Sequence, residues 1–248
     1  MEKILGVIPA RWASTRFPGK PLCDIAGKSL IHRVWERCCQ CQYLDQVIVA
    51  TDDERIRQAA LDFGAQVAMT RDDHPSGTDR MAEVAEQLPQ YPLLINIQGD
   101  EPLIDPGLID GLGLKLREDP EIDLITAANP LAWGDPALEN PHVVKVVLDN
   151  RGRALYFSRS GLPHPRTAPV EGITPLQHKG IYGYRRSFLE QFVGWPPGKL
   201  EQVEGLEQLR ALENGGTIAV VLTEDRSPGV DTPEQARMVS AQIQETLG

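Results

Sequence analysis

Short apolar runs alternate with longer stretches of helical periodicity through the first half of the chain. The runs 4–9, 47–51, 66–69, 93–98 and 123–127 have the length and composition of strands. Between them, Ser29 is a candidate N-cap for a helix that sets Leu30, Ile31, Val34, Trp35 and Cys38 on one face. Further helices are predicted over about 53–63, 79–88 and 106–118. This β-α-β-α succession predicts an α/β fold with a mainly parallel, doubly wound sheet, whose ligand site lies beyond the carboxyl ends of the strands.

From about residue 130 the pattern changes. Apolar runs at 143–148 and 154–158 flank Asp149-Asn150-Arg151-Gly152, a turn composition that predicts an antiparallel hairpin. A smaller subdomain over approximately 131–200 is expected here. Residues 161–176 carry Pro163, Pro165, Pro169 and Pro175, which suits an irregular surface loop or a mobile lid. The chain then returns through a strand at 179–184, an amphipathic stretch bearing Leu206, Leu209 and Leu212, a core strand at 217–223 and a last helix after Thr232. No internal repeat is present.

Composition narrows the function classes. With 25 basic and 35 acidic side chains in 248 residues the net charge is −10, so no general nucleic-acid footprint exists and an anion needs a local site. Arg11, Arg16, Lys20 and Lys28, facing only Asp24, mark one near the start. The apolar stretch 4–10 is too short to span a bilayer and lacks the form of a signal peptide, which reads as a cytoplasmic protein without membrane contact. Cys23, Cys38, Cys39 and Cys41 have neither disulfide nor zinc spacing and read as reduced structural thiols. The five histidines show no metal spacing, and Gly111-Leu112-Gly113 lacks the third glycine of a dinucleotide fingerprint.

Three segments could carry chemistry. The segment from Ile8 to Leu22 runs from a strand into a loop with Arg11, Ser14, Thr15, Arg16, Gly19 and Lys20. Such a loop can wrap a polyphosphate, with Arg11 and Lys20 offsetting charge at the reacting phosphorus, or it can be a solvated loop whose cations sit in water. It lacks Walker A spacing. In Ile95-Asn96-Ile97-Gln98-Gly99-Asp100-Glu101-Pro102, Asp100 follows a buried-looking strand; a carboxylate there suits Mg²⁺, although Gly-Asp-Glu-Pro is also ordinary turn chemistry. In Gly229-Val230-Asp231-Thr232-Pro233-Glu234-Gln235, Thr232 and Gln235 form a capping box around Pro233, which frees Asp231 to be a second metal ligand or to serve the helix dipole. Weaker signals stay open. The segment His74 to Arg80 can contact a base or, through Thr78, cap the next helix. The strand from His178 to Tyr184 suits a sugar or a half-exposed face, and Glu207, expected to point away from the leucine stripe, suits a functional role or a solvated helix face.

Taken together, the stretches 8–22, 50–52, 74–80, 96–102, 140–149, 154–159, 178–184, 206–210 and 229–234 resemble the CMP-Kdo synthetase family, the 3-deoxy-manno-octulosonate cytidylyltransferases, over nearly the whole chain. The resemblance implies a nucleotide-diphospho-sugar transferase-like α/β fold, with residues 1–248 as one nucleotidyltransferase domain and a homodimer formed through the smaller subdomain. It implies CTP and Kdo as substrates, CMP-Kdo and pyrophosphate as products, and a place in lipopolysaccharide assembly. It implies Arg11, Ser14 and Lys20 on the triphosphate, Ser76 and Arg80 on the nucleotide, Gln98 beside the reacting centre, and Asp100 and Asp231 on Mg²⁺. Arg11, Lys20, Asp100 and Asp231 form the expected catalytic set. Arg16, Arg159, His178, Tyr182, Glu207 and Gln208 are similar to the family's sugar-binding set, the arginines suiting a carboxylate by bidentate pairing. The loop after Arg159 matches only loosely. Alternatives are 8-amino-Kdo or another acidic sugar as acceptor, and a non-catalytic nucleotide- or sugar-binding relative.

Overall fold

The computed structural model describes residues 1–13, 17–168 and 172–247, with the side chains of the last two left aside. Eleven strands and eight α-helices are present among them: β1 (Ile4–Ala10), β2 (Asp24–Ile25), β3 (Lys28–Ser29), α1 (Leu30–Cys38), β4 (Gln46–Thr51), α2 (Glu54–Asp62), β5 (Gln66–Met69), α3 (Gly77–Gln87), β6 (Leu93–Asn96), α4 (Pro106–Glu118), β7 (Leu124–Pro130), β8 (Lys145–Leu148), β9 (Ala154–Ser158), β10 (Leu176–Arg185), α5 (Arg186–Gly194), α6 (Lys199–Glu204), α7 (Leu209–Glu213), β11 (Ile218–Leu222) and α8 (Pro233–Leu247). They form two compact units, one of Met1–Gly113 with Arg226–Gly248 and one of Leu114–Asp225.

In the first unit β1 pairs in parallel with β4 on one side and β6 on the other, and β5 adds to β4. Parallel strands covered on both faces need continuous apolar runs. Ile4, Leu5, Val7, Ile8, Val49, Leu93, Leu94 and Ile95 are all fully buried, which is why the strand expectations hold here. Helices α1, α2 and α3 pack along this sheet. A second apolar cluster joins Ile25 and Leu30 to Val230, Ala236, Val239 and Ile243, docking α8 on the small β2–β3 hairpin.

Several local expectations are corrected. Strand β6 stops at Asn96, two residues early, because the chain turns sharply at Gly99: a Cβ there would lie 2.7 Å from the Pro9 carbonyl oxygen. Ser29 occupies the N-cap position of α1, yet its side chain makes no capping bond. Trp35 is half-buried, its ring near Phe63 at 5.2 Å. Helix α3 begins at Gly77, and Ser76 rather than Thr78 caps it.

The second unit is mixed. Strand β7 pairs antiparallel with β10 and parallel with β11, while β8 joins β10 and β9, the latter as the expected hairpin. Helices α5 and α6 were not foreseen. The Leu206–Leu212 pattern condenses into a turn followed by the five-residue α7, so Glu207 lies on a turn and not on a helix face. Residues 161–168 and 172–175 form neither helix nor strand.

All four cysteines are free, and burial pushes the Cys23 thiol up to about 11 and the Cys41 thiol up to about 12, so both stay protonated. Among the described residues no helix is long and apolar enough to cross a membrane, and no group of three or more His, Cys, Asp or Glu is placed to hold a metal.

Lys145 is the largest departure from composition rules. It sits in an apolar run yet is fully buried, and its ammonium donates to the carbonyls of Asn140 at 2.9 Å, Val143 at 2.5 Å and Arg159 at 2.7 Å. Burial pushes its pKa down, with the charges of Glu139 and Glu204 opposing the shift. Lys145→Met, which keeps the volume and removes this buried donor from the three carbonyls, is expected to cost about 2–4 kcal/mol in urea unfolding with an unchanged m-value.

Candidate active site

A cleft of about 310 Å³ opens in the first unit, lined by Pro9, Ala10, Arg11, Lys20, Pro21, His74, Pro75, Ser76, Gly77, Arg80, Gln98, Gly99, Asp100 and Asp231. Its walls are the segments that follow β1 and β6, the start of α3 and the approach to α8. It thus lies at the carboxyl ends of parallel strands, as the topology rule requires. The volume is at the lower end for small-molecule sites.

The structure brings Arg11, Lys20, Ser76, Arg80, Gln98, Asp100 and Asp231 to this one cleft. Ser14 and Arg16 lie outside the described residues. Immediately before Lys20, the Gly19 N–H donates to the Trp12 carbonyl at 3.1 Å. Gly19 has φ 71° and lies against the Trp12 ring, where a Cβ would stand 3.0 Å away; glycine meets both demands. The Arg55 guanidinium covers the same ring at 3.4 Å from its centroid.

Lys20 donates to Asp100 Oδ2 at 2.8 Å and to Asp231 Oδ1 at 3.0 Å. Burial by itself would lower the lysine pKa; the two carboxylates outweigh it and hold the ammonium above its ordinary value. Backbone bonds keep the carboxylates in place. Val230 N–H donates to the Asp100 carbonyl at 2.8 Å, and the capping box closes as expected, with Gln235 Oε1 accepting from Asp231 N and Thr232 N while Thr232 Oγ1 accepts from Gln235 N. The Asp231 carboxylate is therefore not consumed by the helix start. Two hard-oxygen ligands already converge on one cation, and that donor set fits Mg²⁺, which takes its remaining oxygens from phosphate and water.

Arg80 is buried and anchored by an ion pair to Asp52 Oδ1 at 2.8 Å and a hydrogen bond to Thr70 Oγ1. Asp52 was part of a matched stretch, but its pairing with Arg80 could not be read from spacing. Ser76 Oγ accepts from the N–H groups of Thr78 and Asp79 at 3.1 and 3.2 Å and donates to Asp79 Oδ2 at 2.6 Å. It shapes the cleft wall as much as it faces it.

A sequence profile of the family described as "Cytidylyltransferase" matches residues 5–220. A 3-deoxy-manno-octulosonate cytidylyltransferase from Syntrophotalea carbinolica is 51% identical, the alignment covering 97% of this chain and 98% of that protein. The chain belongs to the 3-deoxy-manno-octulosonate cytidylyltransferase family. A second relative of the same name, from Solibacter usitatus, is 52% identical over 96% of this chain and 94% of its own length. Among solved structures, a CMP:2-keto-3-deoxy-manno-octonic acid synthetase complexed with CTP superimposes with a TM-score of 0.94 at 43% identity, covering 99% of this chain and all of that one. The expected fold class is thereby shown.

The family's remaining candidate residues, Arg159, His178, Tyr182, Glu207 and Gln208, all fall in the second unit. Arg159 Nε donates to the Glu204 carbonyl at 2.7 Å, Nη1 to the Pro141 carbonyl at 3.0 Å and Nη2 to the Gly205 carbonyl at 3.3 Å, which aims the guanidinium while leaving N–H groups to spare. Glu207 pairs with Arg210 at 3.9 Å. The Gln208 side chain is buried, and its Nε2 has no hydrogen-bond partner among the described residues.

His178 and Tyr182 meet because β10 is irregular. Lys179 stands opposite Ala127 and Tyr182 opposite Thr126, so three steps on one strand face a single step on the other. In a regular strand positions four apart are about 13 Å distant; here the bulge leaves the two rings 5.5 Å apart. Sequence reading missed this, since alternation says nothing about a bulge. Burial pushes the Tyr182 phenol well above its usual range and the His178 imidazole down to about 3. Although the residue as a whole is half-buried, the His178 ring lies among Phe157, Tyr182 and Thr126, and both side chains are neutral at working pH.

Two outcomes follow. Ser76→Ala is expected to cost about 1 kcal/mol in urea unfolding, as for other lost N-caps. For His178 the folded pKa lies below the unfolded one of 6.5, so between about 3 and 6.5 only the unfolded chain takes up the proton. Stability should fall as pH drops through that window, and His178→Gln should flatten part of the slope when urea midpoints at pH 7 and 5 are compared.

Proposed function

We propose that this chain transfers the cytidylyl group of CTP to Kdo, releasing pyrophosphate and making the activated sugar for lipopolysaccharide assembly. The observation that carries the reading is the gathering of Asp100 and Asp231 on the Lys20 ammonium, in a cleft edged by Arg11, within a chain about half identical to enzymes of that name. Mg²⁺ held by Asp100 and Asp231 would supply Lewis-acid charge at the triphosphate.

The chain's own groups do the rest. Arg11 and Lys20 offset charge on the reacting phosphorus and the departing pyrophosphate; because Lys20 is held above its ordinary pKa, it stays cationic throughout the physiological range. Arg80, fixed by Asp52, and the wall at Ser76 and Gly77 bind the nucleotide. Gln98 lines the cleft beside Asp100. In the second unit the spare N–H groups of Arg159 suit the sugar carboxylate, while neutral His178 and Tyr182 suit hydroxyls. The sugar hydroxyl attacks the α-phosphorus in line, and no covalent enzyme intermediate is needed. A cytoplasmic homodimer completes the reading.

Pyrophosphate release tests it, with CTP, UTP, ATP and GTP each paired with Kdo, 8-amino-Kdo and sialic acid in the presence of Mg²⁺. Release with CTP and Kdo, lost on chelation and reduced about 100-fold or more in Asp100→Asn with unchanged circular dichroism, is expected. Release with 8-amino-Kdo alone would move the acceptor. No release from folded protein in any pairing would leave a binding protein.

A further inference from the structure

Thr126, on β7, is fully buried and belongs to no segment singled out for chemistry. Its hydroxyl fills the β10 bulge. Oγ1 lies 2.8 Å from the Ile181 carbonyl, 3.1 Å from the Lys179 carbonyl and 3.0 Å from His178 Nε2. A threonine hydroxyl has one hydrogen to give and two lone pairs to receive with, and a carbonyl oxygen can only accept. The single hydrogen therefore goes to the bulge carbonyls, the Ile181 oxygen being nearer. Were Nε2 bare, three acceptors would compete for one hydrogen and the hydroxyl's lone pairs would face no donor. With a hydrogen on Nε2, the ring donates to a lone pair of the hydroxyl, and the hydroxyl's own hydrogen is left for the carbonyls.

We infer that Thr126 is a positioning residue that holds His178 as the Nε2–H tautomer, so that its bare Nδ1 accepts a hydrogen bond from a hydroxyl of the acidic sugar. The sugar half of this statement rests on the proposed function; the tautomer half does not. Nδ1 has no partner among the described residues, and the ring is steadied by Phe157 at 5.0 Å and Tyr182 at 5.5 Å. An imidazole kept neutral by burial does not attract the sugar carboxylate, which falls to the arginine. Hydroxyl is thus read by a lone pair and carboxylate by a cation. The bulge and the tautomer are one device, because the hydroxyl that donates to a bulge carbonyl also accepts from the histidine N–H.

The test uses the full-length protein labelled with ¹⁵N, with the His178 ring signals assigned by comparison with His178→Gln. Long-range ¹H–¹⁵N spectra should show the Nε2–H form in the parent chain and in Thr126→Ser, and its loss in Thr126→Val. With CTP and Kdo, Thr126→Val should raise KM for Kdo about 5- to 20-fold, with KM for CTP unchanged and Thr126→Ser restoring it. A ring found as the Nδ1–H form in the parent chain overturns the inference. So does an equal rise in both KM values that serine fails to rescue, which marks a purely structural threonine. If Thr126→Val does not fold, the parent and serine spectra still decide. If no acidic sugar is turned over, the proposed function fails while the spectra judge the tautomer independently.

Discussion

One ammonium ties together three parts of the first unit. Lys20 reaches Asp100 and Asp231, 80 and 211 positions away along the chain, and neither carboxylate has any reason to lie near the other without it or another cation. The arrangement is held from behind by apolar packing. Helix α8, which follows Asp231, docks through Val239 and Ile243 on the hairpin that follows Lys20, and Ala26 N–H donates to Ser240 Oγ at 3.1 Å. The loop carrying Asp100 passes so close to the end of β1 that only glycine fits at position 99. The site is thus a consequence of core packing, with the charges added at its rim.

The second unit solves a different problem, that of presenting neutral polar groups without losing sheet hydrogen bonds. A two-residue excess in β10 draws His178 and Tyr182 together, Thr126 Oγ1 lies within hydrogen-bond reach of the Ile181 and Lys179 carbonyls, and Lys145 donates to those of Asn140, Val143 and Arg159. A buried ammonium and a buried hydroxyl are expensive groups to desolvate, and each is matched by partners at 3.1 Å or less. Arg159 is aimed by backbone carbonyls in the same way, and its own carbonyl is one of those that Lys145 holds.

The two units therefore divide the electrostatic work. In the first, charge is concentrated, with two carboxylates and a lysine raised above its usual pKa at a cleft edged by arginine. In the second, burial keeps histidine and tyrosine neutral and leaves charge on an arginine already positioned by carbonyls. Phosphate chemistry needs the first environment and hydroxyl recognition the second.

The strands of the first unit were legible because buried parallel strands must be continuously apolar, and the capping box at Thr232 was legible because its donors and acceptors lie within four residues of one another. The loop after β1, Asp100 and Asp231 stood out for the same local reason: small, charged and turn-forming residues interrupt an apolar pattern. Lys145 left a readable trace, one cation inside an apolar run, that went unused. What could not be read was partnership. Asp52 with Arg80, Thr126 with His178, and the bulge that sets Tyr182 beside His178 depend on which strands lie side by side and in what register. Local pattern specifies which face of a strand is buried; hydrogen-bond partners across strands are settled by the packing of segments far apart in the chain.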